Sequence, residues 1–387
     1  MKIAKSVNRL GTEAVYNIFA KTKKLAQQGK KIIDLSLGQS DFKSPKHAVN
    51  ATIQALKDGH HGYTLPNGII ECREAVSRKI KSLYNANISP ERIVIMPGGK
   101  PTMHYAISFF GEPSAEIIYP DPGFPIYESM INYTGAKAVP FNLAENKDFS
   151  INPDKILSLI NENTRLLILN NPNNPTGSFT EKTVIDKLAK GLINFPHVTI
   201  LSDEIYDRLI FDKKEIPTLF NYPDLYDRLI VLNGWSKTYA MTGWRLGWGV
   251  WPEQLIEHVF KFCVNNHSCV NTAAQYGAIA ALDGPENHLH DMMGEFTIRR
   301  KLIVDGLRSL KGVECSLPGG SFFVFPSVKG TGMNGEEFTN KCLQEAGVAI
   351  IPGTAFGKFA TANVRFNFAT SRENISKAIE KIDKILK

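Results

Sequence analysis

Short apolar runs at residues 92–96, 116–119, 166–169, 198–201, 229–232 and 246–251 alternate with longer amphipathic stretches such as 181–193 and 253–264. No other property of this chain limits its fold as tightly. A brief apolar run without alternation suits a strand buried on both faces, and such strands need helices above and below them. The amphipathic stretches supply those helices. The pattern predicts an α/β fold with a mostly parallel sheet flanked by helices.

The rhythm changes at Asp283-Gly284-Pro285, a turn signal. A long helix is expected over about 286–310, followed by strands at 321–325, 348–351 and 364–368. A closing helix carries Ile375, Ile379, Ile382 and Leu386 at helical spacing, with Ser371 as its N-cap. A chain of 387 residues exceeds what one hydrophobic core usually supports. We therefore expect a large domain over 44–284 and a smaller α+β domain over 285–387. An N-terminal arm over 1–43, with a helix at roughly 13–28, is expected to pack with the smaller domain.

Composition narrows the function classes. The net charge of +7 comes from scattered lysines, and Lys21, Lys23, Lys24, Lys30 and Lys31 fit a solvated helix face better than a nucleic-acid surface. Cys72, Cys263, Cys269, Cys315 and Cys342 are widely spaced, which suits reduced thiols. Residues 1–9 lack the apolar run of a signal peptide, and no stretch reaches membrane-span length. The expectation is a cytoplasmic protein with neither nucleic-acid nor membrane partners. His60-His61 and the group His288, His290 and Asp291 lack zinc-site spacing, so no metal is expected.

In open α/β sheets ligands collect at the carboxyl ends of strands, and the chemistry-bearing residues fall there. Residues 233–247 read Asn-Gly-Trp-Ser-Lys-Thr-Tyr-Ala-Met-Thr-Gly-Trp-Arg-Leu-Gly. A desolvated lysine near other positive charge loses part of its preference for protonation. Lys237 would then be a nucleophile able to form an imine with an aldehyde whose phosphate tail Arg245 holds. Alone, the segment also fits a Trp/Tyr-rich core strand with incidental cations. Asp203 closes another apolar run, where a buried carboxylate wants a cation such as a protonated pyridine nitrogen; a helix-capping Asp explains it equally.

Gly98-Gly99-Lys100 after a strand lets backbone approach a phosphate at a helix N-terminus, or serves as a plain turn. The octet Asn-Asn-Pro-Asn-Asn-Pro-Thr-Gly at 170–177 restricts the backbone around Asn174, so its amide can donate in one direction. Phe124, in a proline-fixed loop, could stack on a planar ring or pack the core. Arg365 in an apolar strand wants a carboxylate, internal or from a substrate, and Gly38 offers backbone to the same group or a simple turn.

Together and in this order, from residue 38 to residue 365, these motifs resemble the fold-type I pyridoxal-phosphate enzymes of the aspartate aminotransferase superfamily, class I/II. The resemblance implies a seven-stranded sheet and pyridoxal 5′-phosphate as cofactor. It implies that Lys237 is the Schiff-base lysine and proton shuttle, with Ser236, Arg245, Gly99 and Lys100 at the phosphate. Asp203 would face the pyridine nitrogen, Asn174 and Tyr206 the phenolic oxygen, and Phe124 the ring. Arg365 and Gly38 would hold the substrate α-carboxylate. Tyr63 would reach the phosphate of a neighbouring subunit, which implies a homodimer with shared active sites. The implied reaction is a ping-pong transfer between an L-amino acid and a 2-oxo acid through pyridoxamine phosphate. A C–S β-lyase uses the same site, and a non-enzymatic pyridoxal-phosphate-sensing domain shares the fold. The segment Val15-Tyr16-Asn17-Ile18 hints at a partly apolar substrate. This chain departs from the family pattern at Gly234, where many relatives place a serine, at Pro101, and at Gln39-Ser40.

Overall fold

The structure, a computed structural model, describes residues 1–11, 14–212 and 216–387, and excludes the side chains of residues 14–17, 19 and 26. Val15, Tyr16 and Asn17 of the segment expected beside the substrate therefore lie, by their side chains, outside the described residues, as does Glu13.

Seven strands form the main sheet in the order Ile93–Met96, Gly247–Val250, Leu229–Gly234, Thr199–Asp203, Thr164–Asn170, Glu116–Asp121 and Lys137–Asn142. Only Gly247–Val250 runs against its neighbours, because the chain folds back beside Leu229–Gly234 without a crossover helix. Every residue of Ile93–Met96, Thr199–Asp203, Leu229–Gly234 and Gly247–Val250 is buried, the outcome expected of uninterrupted apolar runs. The strand Lys137–Asn142 was not foreseen. It lies at the sheet edge, is mostly part-exposed and contains Pro140, so it lacks the apolar signature of the inner strands.

Helices Lys182–Leu192, Ile256–Asn266 and Asn287–Ser309 lie close to their expected positions. The closing helix is Arg372–Leu386, and Ser371 Oγ accepts the Asn374 N–H at 3.1 Å, the cap its sequence announces.

A second, three-stranded antiparallel sheet joins Ile351–Pro352, Val364–Asn367 and Phe323–Val324. Residues 348–351, expected as one strand, divide between two sheets. Val348–Ala349 pairs in parallel with Ile33–Asp34 near the N-terminus, whereas Ile351 pairs with Arg365. The N-terminal segment is stitched in by Leu35 N–H to Ala349 O at 2.9 Å and Asn367 N–H to Leu35 O at 2.8 Å. The helix Ala14–Gln27 packs against Ile351–Pro352. An aromatic cluster of Phe296, Phe322, Phe323, Phe366 and Phe368 fills the core behind this sheet.

Candidate active site

A cavity of about 560 Å³ opens at the carboxyl ends of the main-sheet strands and is closed on one side by the three-stranded sheet. Gly38, Gly99, Lys100, Phe124, Asn174, Asp203, Tyr206, Ser236, Lys237, Arg245 and Arg365 all line it. Tyr63 does not; it stands 92% exposed on the surface of this chain.

Lys237 follows the strand Leu229–Gly234 and turns its ammonium inward, donating to the Gly38 carbonyl at 2.5 Å. The aromatic faces of Phe322 and Tyr206 stand 5.5 and 5.7 Å from Nζ. Burial, helped by the positive charges of Arg365 and Arg245, pulls the Lys237 pKa down to about 8. Such an amine is partly neutral near physiological pH, as a nucleophile or proton carrier must be.

Asp203 ends the strand Thr199–Asp203 and is 6% exposed. Its Oδ2 accepts from the Tyr127 hydroxyl at 2.7 Å and its Oδ1 from the Ile205 N–H at 3.2 Å. Burial raises its pKa to about 6 against those hydrogen bonds. A cation brought against it would favour the ionised form. Burial also pushes the Tyr206 hydroxyl up, so it stays protonated and able to donate.

Arg365 is buried between the rings of Phe323 and Phe356, 4.3 and 4.7 Å from its guanidinium carbon. It donates to Ser36 O at 2.6 Å and to Asn174 Oδ1 at 2.9 Å. That second bond fixes the Asn174 amide with its oxygen toward Arg365. The Asn174 backbone is held in turn by Asn170 Oδ1, at 2.9 Å.

At the other end, Gly99 caps the helix Lys100–Phe110. Gly98 has φ +94°, and a Cβ there would lie 2.3 Å from Arg245 Nη2. The arginine thus rests on bare backbone beside the start of a helix, a cradle suited to an anion. Gly234 also has a packing reason. A Cβ at that position would meet Gly247 Cα at 2.7 Å, where the two strands close.

The aminotransferase class I and II family model matches residues 30–382. The chain belongs to that family. It is a transaminase, an enzyme of amino-group transfer. It is 35% identical to the aspartate aminotransferase of Pyrococcus horikoshii, with 99% of this chain and 97% of that protein covered. Identity to the aromatic-amino-acid aminotransferase 2 of Thermococcus litoralis is 33%, with 94% of each covered. The crystal structure of the Rhizobium meliloti aspartate aminotransferase superposes with a TM-score of 0.95 at 28% identity, covering 100% of this chain and 99% of that one.

Sequence reasoning missed Tyr127 and Asn170 in this aminotransferase. Tyr127 is fully buried in the first turns of the helix Ile126–Thr134, where it reads as ordinary core. Asn170 donates to the Asp203 carbonyl at 3.0 Å besides holding Asn174. Its place at the end of a strand was the one available signal. Elsewhere, Cys72, Cys263, Cys315 and Cys342 are buried free thiols and Cys269 is half-buried. Among the described residues no group of three His, Cys, Asp or Glu could hold a metal ion, and no helix is long and apolar enough to cross a membrane.

Proposed function

We propose that the cavity binds pyridoxal 5′-phosphate and that Lys237 both anchors it and moves the proton during amino transfer. The observation behind this reading is a depressed-pKa lysine sharing one cavity with a buried carboxylate and two arginines at opposite ends. The residues fit the group. The glycine-lined cradle, Ser236, Lys100 and Arg245 offer donors to a phosphate, and Asp203 offers a carboxylate to a ring nitrogen. Bound there, the cofactor supplies an aldehyde carbon for the amino group and an electron-withdrawing ring.

The chain's own residues do the rest. Asp203 keeps the ring nitrogen protonated, and Tyr127 holds that carboxylate in place. Asn174 and Tyr206 donate to the phenolic oxygen, while Phe124 covers a ring face. Arg365 takes the substrate α-carboxylate in its planar fork, with the Gly38 backbone alongside. The freed Lys237 amine would take the proton from the substrate Cα and deliver it across the amino nitrogen to the former aldehyde carbon. The 2-oxo acid product leaves before the second oxo acid enters, a ping-pong order.

Two further readings accompany this one. Val49, Ile53 and Leu56 expose an apolar stripe along the helix Lys46–Lys57, and Leu65 and Ile70, which flank Tyr63 closely in sequence, are exposed as well. That surface supports a homodimer in which Tyr63 reaches the phosphate of the partner's site. A cytoplasmic enzyme acting on an L-amino acid and a 2-oxo acid, with domains at 44–284 and 285–387 and an arm at 1–43, completes the proposal.

A panel of amino donors added to the pyridoxal-phosphate-loaded enzyme tests it. Several donors should bleach the bound cofactor's visible absorbance, and Lys237→Ala should lose about 10²–10⁴-fold in rate from proton transfer alone. No bleaching by any donor, or a fully active Lys237→Ala, defeats the reading. Pyruvate and thiol released without an added oxo acid would point to the lyase.

A further inference from the structure

We infer that Asp121 is a positioning residue for the substrate site, its carboxylate tying the loop that carries Phe356 to the end of the main sheet beside the loop that carries Phe124. The inference rests on the proposed role of Arg365 as the fork for the substrate α-carboxylate. Arg365 lies on Val364–Asn367, and residues 353–363 connect Ile351–Pro352 to that strand. The ends of this connection are tied to each other by Gly353 N–H to Asn363 O, at 2.7 Å. Its middle reaches across to the main sheet.

Asp121 ends the strand Glu116–Asp121 and is 1% exposed. Its Oδ2 accepts the Lys358 N–H at 3.0 Å and its Oδ1 the Phe359 N–H at 3.3 Å. A third bond runs alongside, Gly123 N–H to Phe356 O at 2.8 Å. A carboxylate so deeply buried is costly unless donors meet it, and both of these donors come from the connection in the other sheet. The approach leaves no room for a side chain at Gly357. A Cβ there would overlap the Asp121 carboxylate, and the backbone, at φ +144° and ψ 178°, lies in a region that glycine alone occupies readily.

These bonds bear on Arg365 through Phe356, whose ring stands 4.7 Å from the guanidinium carbon. Packing alone does not fix that ring. Phe124, Pro125 and Phe356 line the active-site cavity and also a second cavity of about 660 Å³, which Gly357 and Lys358 border. The wall between the two is thin. Side chains facing a cavity lack contact partners on that side, so the hydrogen bonds to Asp121 are what hold the wall in place.

Asp121→Ala should raise KM for the amino donor about tenfold and leave kcat within about threefold, because the carboxylate fork acts on substrate and transition state alike. Hydrogen–deuterium exchange of the holoenzyme gives a readout apart from turnover. The Lys358 and Phe359 amides, followed in peptides spanning 354–361, should exchange at least about tenfold faster in Asp121→Ala. Peptides over 199–206 should stay unchanged, which a general loosening of the fold would not allow. Asp121→Asn keeps the shape and one acceptor oxygen but turns an amide N–H₂ toward one of the donors. It should fall between wild type and Asp121→Ala in both readouts.

If no donor bleaches the loaded wild-type enzyme, the parent reading fails and this one with it. If wild type is bleached but folded Asp121→Ala keeps a normal KM, or normal exchange at 358–359, the positioning role alone is overturned. Should Asp121→Ala fail to fold, Asp121→Asn against wild type, read by the same two measurements, decides between the same outcomes.

Discussion

Arg245 and Arg365 border the same cavity, yet they are held in opposite ways. Arg245 sits exposed at a left-handed corner (φ 55°) just past a short 3-10 turn, with Nη1 on the Thr242 carbonyl at 2.7 Å and its guanidinium over Gly98. Arg365 is 3% exposed inside a strand, clamped by two phenyl rings and two hydrogen bonds. One end of the cavity is thus a backbone cradle with a solvated cation, and the other a rigid buried fork. A solvated cation is screened and adjustable; a buried one is costly to remove and exact in geometry. The first suits a phosphate that stays bound. The second suits a carboxylate that arrives and leaves every turnover.

The largest test of that contrast is at the buried end. Arg365→Leu should cost about 2–5 kcal/mol in kcat/KM for an amino acid donor, measured by steady-state kinetics. The same variant should raise the pH at which Lys237 loses its proton. The positive charge of Arg365 opposes protonation of the neighbouring amine, so its removal moves the titration upward from about 8. The pH dependence of pyridoxal-phosphate uptake by apoenzyme reads this directly. An unchanged titration would break the electrostatic half of the comparison.

The cradle gives a smaller effect. Gly98→Ala places a Cβ 2.3 Å from Arg245 Nη2 at φ +94°. The strain, about 1–2 kcal/mol, should appear as roughly tenfold weaker cofactor affinity, with kcat restored by excess cofactor. A kcat loss that excess cofactor cannot repair would mean that the cradle also positions the reacting atoms. Smallest is Phe356→Leu, which removes one of the rings flanking Arg365. With Phe323 still in place, KM should rise by the equivalent of about 0.5–1 kcal/mol while kcat holds.

How far these features could be read in advance depends on how local they are. Gly98-Gly99-Lys100, Asp203, residues 170–177 and Ser236-Lys237 each end an apolar run, and all meet at the carboxyl end of the sheet. Burial of a run and turn chemistry at its end are properties of consecutive residues, so a linear reading reaches them. The edge strand Lys137–Asn142 escaped because half-exposed strands carry mixed residues. The division of 348–351 between two sheets escaped because both halves are equally apolar.

By itself, the sequence determined the α/β architecture, the buried strands of the main sheet and most of the chemical inventory of the site. Only the tertiary structure decided which groups meet: Tyr127 on Asp203, Asn174 on Arg365, Tyr84 on Asp207, Arg245 on Gly98. Arg365 and Asn174 are 191 residues apart in sequence. Their contact depends on how two separate sheets are set against each other, and no run of neighbouring residues encodes that placement. Strands form from local burial and backbone preference, whereas a catalytic distance is fixed by packing across the whole chain.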